Sequence, residues 1–169
     1  MAFMKSNGVV VSFAKYQDVV DKDATLFQDN EGLSEEVITP SLKRATERIL
    51  TQLRATDWWR NYFTKRDSLT IVNSVADIPA LDANKIIFRF NDFTELCVSV
   101  ALSEYIYPKV ADFSNEETSE RQKMAYYAQR SEKLFVELIT AGDFYDFDGS
   151  GAISSDEKAP GYINLKRVR

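Results

Sequence analysis

The 169-residue sequence contains no histidine and only one cysteine. Without an imidazole there is no neutral-pH general base of the usual kind and no histidine ligand for zinc. Cys97, standing alone, gives neither a cysteine pair to hold a metal nor an intrachain disulfide framework. The six glycines fall in no glycine-rich loop that would cradle a phosphate. No apolar run approaches the ~18 residues that a membrane helix requires. Val9, Val10 and Val11, behind Lys5, are too brief for a signal peptide, so a soluble, non-secretory chain is expected. A net charge of −5 argues against a nucleic-acid surface, which needs clustered lysine and arginine. These absences together point away from an enzyme.

What is present is the composition of an ordinary folded protein, 44% hydrophobic and 28% charged, at a length that suits one domain. Val9 to Val11 favour a short strand or extended arm, after a polar stretch around Asn7-Gly8. Periodicity predicts a short helix over residues 13–20 and a loop over 21–33, pinned by Leu26 and Phe27. Ser34 opens a turn, and Thr39-Pro40 read as the N-cap and first residue of a helix running to about Ala55. Its apolar side carries Leu42, Ala45, Ile49, Leu50 and Leu53. Thr56-Asp57 look like a second cap, followed by Trp58, Trp59, Tyr62 and Phe63. That aromatic cluster either closes the core between two helices, the preferred reading, or anchors an interface.

Ile86, Ile87, Phe88 and Phe90 have strand propensity. Asn91 then caps a helix with Phe93, Leu96, Cys97, Val100, Ala101 and Tyr105 at helical spacing, ending near Tyr107 because Pro108 follows. Cys97 lies on that apolar face and reads as a buried structural thiol. Ser114 and Glu117 form a capping box for a last, longest helix. Met124, Tyr127, Ala128, Ser131, Phe135, Leu138 and Ile139 mark its apolar face, and Gly142 its stop. The fold expected is mainly α: a single-domain bundle of about four helices over residues 1–161, with a C-terminal strand or extended tail over 162–169.

The one motif whose spacing carries a mechanism is DFDGSGAISSDE, residues 146–157. A twelve-residue loop supplies Ca²⁺ with oxygen ligands at positions 1, 3, 5, 7, 9 and 12, with glycine at 6 for the sharp turn. Those positions hold Asp146, Asp148, Ser150, Ala152 through its carbonyl, Ser154 through a water, and bidentate Glu157, with Gly151 at position 6. The loop resembles an EF-hand calcium loop. Serine at position 5 leaves three ligand carboxylates and hence weak binding, and Pro160-Gly161 leave no exit helix. The alternative is an acidic helix-to-tail turn held by side-chain-to-backbone bonds. Beyond it, Tyr162, Ile163, Leu165, Lys166, Arg167, Val168 and Arg169 make a basic, strand-prone tail. It either adds to a partner or folds back on its own domain.

Three stretches taken in order resemble the head-to-tail connector (adaptor or neck) proteins of tailed bacteriophages. They are IPALDANKIIFRFNDFTELCVSVALSEYIYPKVADFS, the last helix running into DFDGSGAISSDEK, and the tail GYINLKRVR. The resemblance implies a non-enzymatic virion protein, assembled in the host cytoplasm, whose small helical protomers form a ring, typically a dodecamer, at the head–tail junction. It implies the portal and the tail or neck proteins as partners. Packaged DNA would pass through the ring without sequence-specific binding, and no membrane is involved. It gives residues 162–169 a docking role and leaves the loop structural, with Ca²⁺ at most a weak, structural ion. The competing expectation from the loop alone is a small calcium-binding regulatory module of EF-hand type.

Overall fold

The computed structural model describes residues 3–66, 73–111 and 118–159. The polar N-terminal stretch is a hairpin, β1 (Met4–Ser6) against β2 (Val9–Ser12), antiparallel with Ser6 opposite Val9 and Lys5 opposite Val10. Asn7 and Gly8 both take positive φ, 51° and 80°, as a two-residue turn matched to strand twist requires. Phe3, just before the hairpin, packs its ring on Phe13, Phe90 and Phe93.

The rest of the described chain is mainly helical, as expected, in one body. α1 (Tyr16–Lys22) starts three residues later than the periodicity suggests. The stretch expected as loop contains α2 (Ala24–Asp29), with Leu26 buried and Phe27 packed against the core. α3 (Glu35–Ala55) runs unbroken through Pro40, so Thr39 is not its cap. Ser34 is, its carbonyl accepting from Val37 and Ile38. Pro40 sits near the start of the helix, where it forfeits one backbone bond and the rest of the ladder carries on. Ile38, Leu42, Ala45, Ile49 and Leu53 are essentially sealed from solvent, while Leu50 is only half-buried.

α4 (Asp57–Asn61) begins as expected at Thr56, whose hydroxyl accepts from the Trp59 amide. The predicted strand at residues 86–90 reduces to an isolated bridge between Ile86 and Tyr145. Phe90 instead opens α5 (Phe90–Val100), and the cap position is Arg89 in the left-handed region at φ 56°, not Asn91. α5 does not end before Pro108 either. It widens into a π-helical stretch over Ala101–Ile106 and continues as α6 (Tyr107–Val110). Pro108 falls at the junction between the widened stretch and α6, where it forfeits one backbone bond while the helical path carries on.

α7 (Ser119–Ala141) follows Thr118, while Ser114 and Glu117 lie outside the described residues. It packs along α5 and the widened stretch. Its sealed residues are Tyr127, Leu134 and Leu138, with Met124, Phe135 and Ile139 only partly covered. The buried face is therefore turned from the one expected: Leu134 replaces Phe135 at its centre. Two polar knots tie α7 down. Asp23 accepts from the Tyr107 and Tyr127 hydroxyls and from Lys123, and Glu95 accepts from Lys22 and Arg130. No helix among the described residues is long and apolar enough to cross a membrane.

Candidate metal centre

Gly142 ends α7 in the left-handed conformation, φ 61°, and the next residues are held rigidly on the way into the acidic loop. Arg89 Nη2 donates to Asp143 Oδ2 at 3.0 Å while its Nη1 reaches Asp92 at 3.2 Å. The Arg89 hydrogen bond, outweighing burial, holds the Asp143 carboxyl below the usual range, and the same pairing pushes the guanidinium further up. Residues 144–146 then lie against residues 85–87. The Ile87 amide donates to the Phe144 carbonyl and the Asp146 amide to the Lys85 carbonyl, both at 3.0 Å. Lys85 Nζ adds a bond to the Phe147 carbonyl, also 3.0 Å.

The aromatic cluster of α4 is the socket for this segment. Trp58 packs on Phe144 with ring centroids 4.7 Å apart, and Trp59 meets Tyr145 edge-on at 5.0 Å. Tyr62 stacks on Phe147 at 3.9 Å with rings nearly parallel. Trp58 and Trp59 are 7% and 2% exposed, so the core-closing reading of this cluster holds and an external anchor made of these tryptophans is excluded. Tyr145, buried here, has its hydroxyl pushed up to about 12.

Inside the loop, Gly149 and Gly151 take φ of 77° and 80°, which lets successive amides turn inward. Asp146 Oδ1 accepts from the Gly149 and Ser150 amides at 2.7 and 3.1 Å, and Oδ2 from Gly151 at 2.8 Å. Glu157 folds back from the far end, taking the Phe147 amide at 2.8 Å and the Ser154 amide at 2.7 Å. Asp148 accepts from the Ser150 amide at 2.9 Å, and its hydrogen bonds to Ser150 hold its carboxyl below the usual range. One oxygen each of Asp146, Asp148 and Glu157 lies within 4.8 Å of the others. Asp146 and Glu157 are 5% and 4% exposed, whereas Asp148 faces solvent.

An all-oxygen donor set of this kind fits a hard cation of the size of Ca²⁺. The Ser150 hydroxyl lies 3.1 Å from the Ala152 carbonyl, placing positions 5 and 7 together. The Ser154 hydroxyl is used as an N-cap, accepting from the Glu157 amide at 3.3 Å. It opens α8 (Ser155–Lys158), a single helical turn with a reciprocal Ser154–Glu157 capping box. Three of its four residues are loop positions and the helix ends at Lys158, so the turn closes the loop and no exit helix follows it among the described residues.

Of the six sequence-predicted ligand positions, the three carboxylates of Asp146, Asp148 and Glu157 come together, while the tail residues 162–169 lie outside the described residues. Lys85, Arg89 and Asp143, which fix the loop to the body, were not foreseen. Their partners lie more than fifty residues apart in sequence, and no local spacing signals such pairs. Comparison with protein-family models, with curated proteins and with solved structures gave no match.

Proposed function

We propose that this chain is a structural virion protein, a head-to-tail connector that forms a ring between the capsid portal and the tail, with a weakly held Ca²⁺ in the loop of residues 146–157. The observation that supports a static part over a calcium-driven switch is the pre-formed loop. Its Asp146 and Glu157 already accept five backbone amide bonds between them at 3.1 Å or less. The loop is also bolted to the body through Trp58, Trp59 and Tyr62. A cation added to such a loop stiffens an arrangement that is already in place. In this role it braces the stem from which residues 160–169 depart. A non-catalytic role is in keeping with Cys97, which is buried against Thr46 with its thiol pushed up to about 11.

Deleting residues 162–169 tests the docking part of the proposal. Circular dichroism should report an unchanged helical body, and electron microscopy of particles made with the truncated chain should show heads without joined tails. Tailed, DNA-filled particles from the truncated chain would overturn the docking role. A full-length chain that never caps the portal of its own phage, yet changes hydrodynamic radius with Ca²⁺, would replace the connector reading with a regulatory module.

A further inference from the structure

A cationic cleft of about 230 Å³ lies where α3 ends and α4 turns away. Arg54 and Arg60 line it with Thr51, Ala55, Ala76 and Ile78, and no carboxylate does so among the described residues. Arg54 is partly engaged. Its Nε donates to the Ile78 carbonyl at 3.0 Å, and its Nη2 to the Ile78 and Ala76 carbonyls. The Thr51 hydroxyl is engaged too, donating to the Glu47 carbonyl at 2.9 Å.

Arg60 is different. Its Nε is shut off from solvent and has no hydrogen-bond partner among the described residues. Two carboxylates nearby are turned to other uses. Asp57, three positions earlier on α4, is exposed, and Asp77 accepts from the Asn73 and Ser74 amides at 2.9 and 2.7 Å. A guanidinium keeps its charge at any ordinary pH, so Arg60 cannot escape by losing its proton. A charged donor sealed from water without an acceptor is costly to hold, and a bound anion removes that cost.

The donors define the ligand. The Nε–H and one Nη–H of a guanidinium form a fork that matches two oxygens of a phosphate or carboxylate. A second guanidinium on the same cleft favours a dianion with further oxygens over a planar monoanion. The small cleft suits one tetrahedral group, and the net charge of −5 opposes a long polyanion.

We propose that the cleft between α3, α4 and residues 76–78 binds a single phosphate dianion, with Arg60 as its principal ligand and Arg54 as the second charge. The site is independent of the connector reading and of the acidic loop.

Thermal unfolding of the full chain in inorganic phosphate, against chloride at the same ionic strength, tests it. Phosphate should raise Tm saturably, and Arg60→Gln should weaken the apparent affinity roughly tenfold or more. Lys43→Gln removes an equal charge from the exposed face of α3 and should leave the affinity unchanged. In chloride alone Arg60→Gln should not lower Tm, since it removes an unpaired charge. The NMR signal of the Arg60 Nε–H should move with phosphate in step with Tm. No saturable rise, or a rise that survives Arg60→Gln, overturns the site. So does a variant less stable in chloride beside a wild type indifferent to phosphate, which marks Arg60 as a brace of the fold. Binding of duplex DNA without binding of inorganic phosphate overturns it as well.

Discussion

At the residue scale, Gly142, Asp23 and Cys97 are each buried where several elements meet. Gly142 combines positive φ with the Lys158 carbonyl 2.2 Å from where a Cβ would stand, so alanine there meets both strain and a backbone clash. Gly142→Ala should lower stability by about 2 kcal/mol or more, read from urea denaturation midpoints. Burial alone would raise Asp23, but the Tyr107 and Thr25 hydroxyls and the Lys123 ammonium outweigh it and hold the carboxyl below the ordinary range. A carboxyl lowered in the fold stabilises above its unfolded pKa, and that contribution fades as the pH falls through the folded value. Asp23→Asn should therefore cost about 1–3 kcal/mol at neutral pH, and the difference from wild type should shrink towards pH ~3. Denaturation at both pH values checks the sign. Cys97 should resist alkylation at neutral pH in the native state and react on unfolding, since its thiol is both buried and pushed up to about 11.

At the element scale, local chemistry reports which segments are helical more reliably than where they end or which way they face. Thr56 as a cap and Gly142 as a stop were legible because each acts through its own neighbours. Pro40 and Pro108 misled, because a proline in the opening turns of a helix leaves the helix intact, and sequence alone does not say which turn it occupies. The face of α7 misled for another reason. Its stripe is wide enough to accommodate two neighbours, and only the position of α5 decides that Leu134 is sealed while Phe135 borders a groove. Leu134→Ala and Leu138→Ala should each cost about 2–5 kcal/mol, and Phe135→Ala should cost less than either despite its larger ring. Thermal or urea unfolding of the three variants orders them. A Phe135 variant as damaging as the leucine variants would mean that the groove is closed in solution.

At the scale of the whole molecule, the loop is a rigid extension of the helical body. The ligand spacing of residues 146–157 was readable because every donor lies within twelve positions, whereas the socket that holds them depends on residues 58–62 and 85–89. This arrangement dictates how Ca²⁺ should act. A cation that binds only the folded state at ten times its dissociation constant adds about 1.4 kcal/mol, a rise of ~3–6 °C in Tm for a chain of this size. Asp146→Ala is a blunt test, because Asp146 also accepts three loop amides and its loss weakens the fold without any ion. Asp148 is the cleaner position: it faces solvent, and the bond that its carboxylate accepts from the Ser150 amide stays within the loop. Asp148→Asn should leave the calcium-free Tm within about 1 °C of wild type, as surface changes usually do. The same variant should lose most of the calcium-induced rise. Mg²⁺ should give less stabilisation than Ca²⁺ in the wild type, because its small octahedral shell suits this loop poorly. Calorimetric scans with each ion and with chelator decide the matter. A wild-type Tm that ignores millimolar Ca²⁺ would leave residues 146–157 as an acidic turn braced by its own amides.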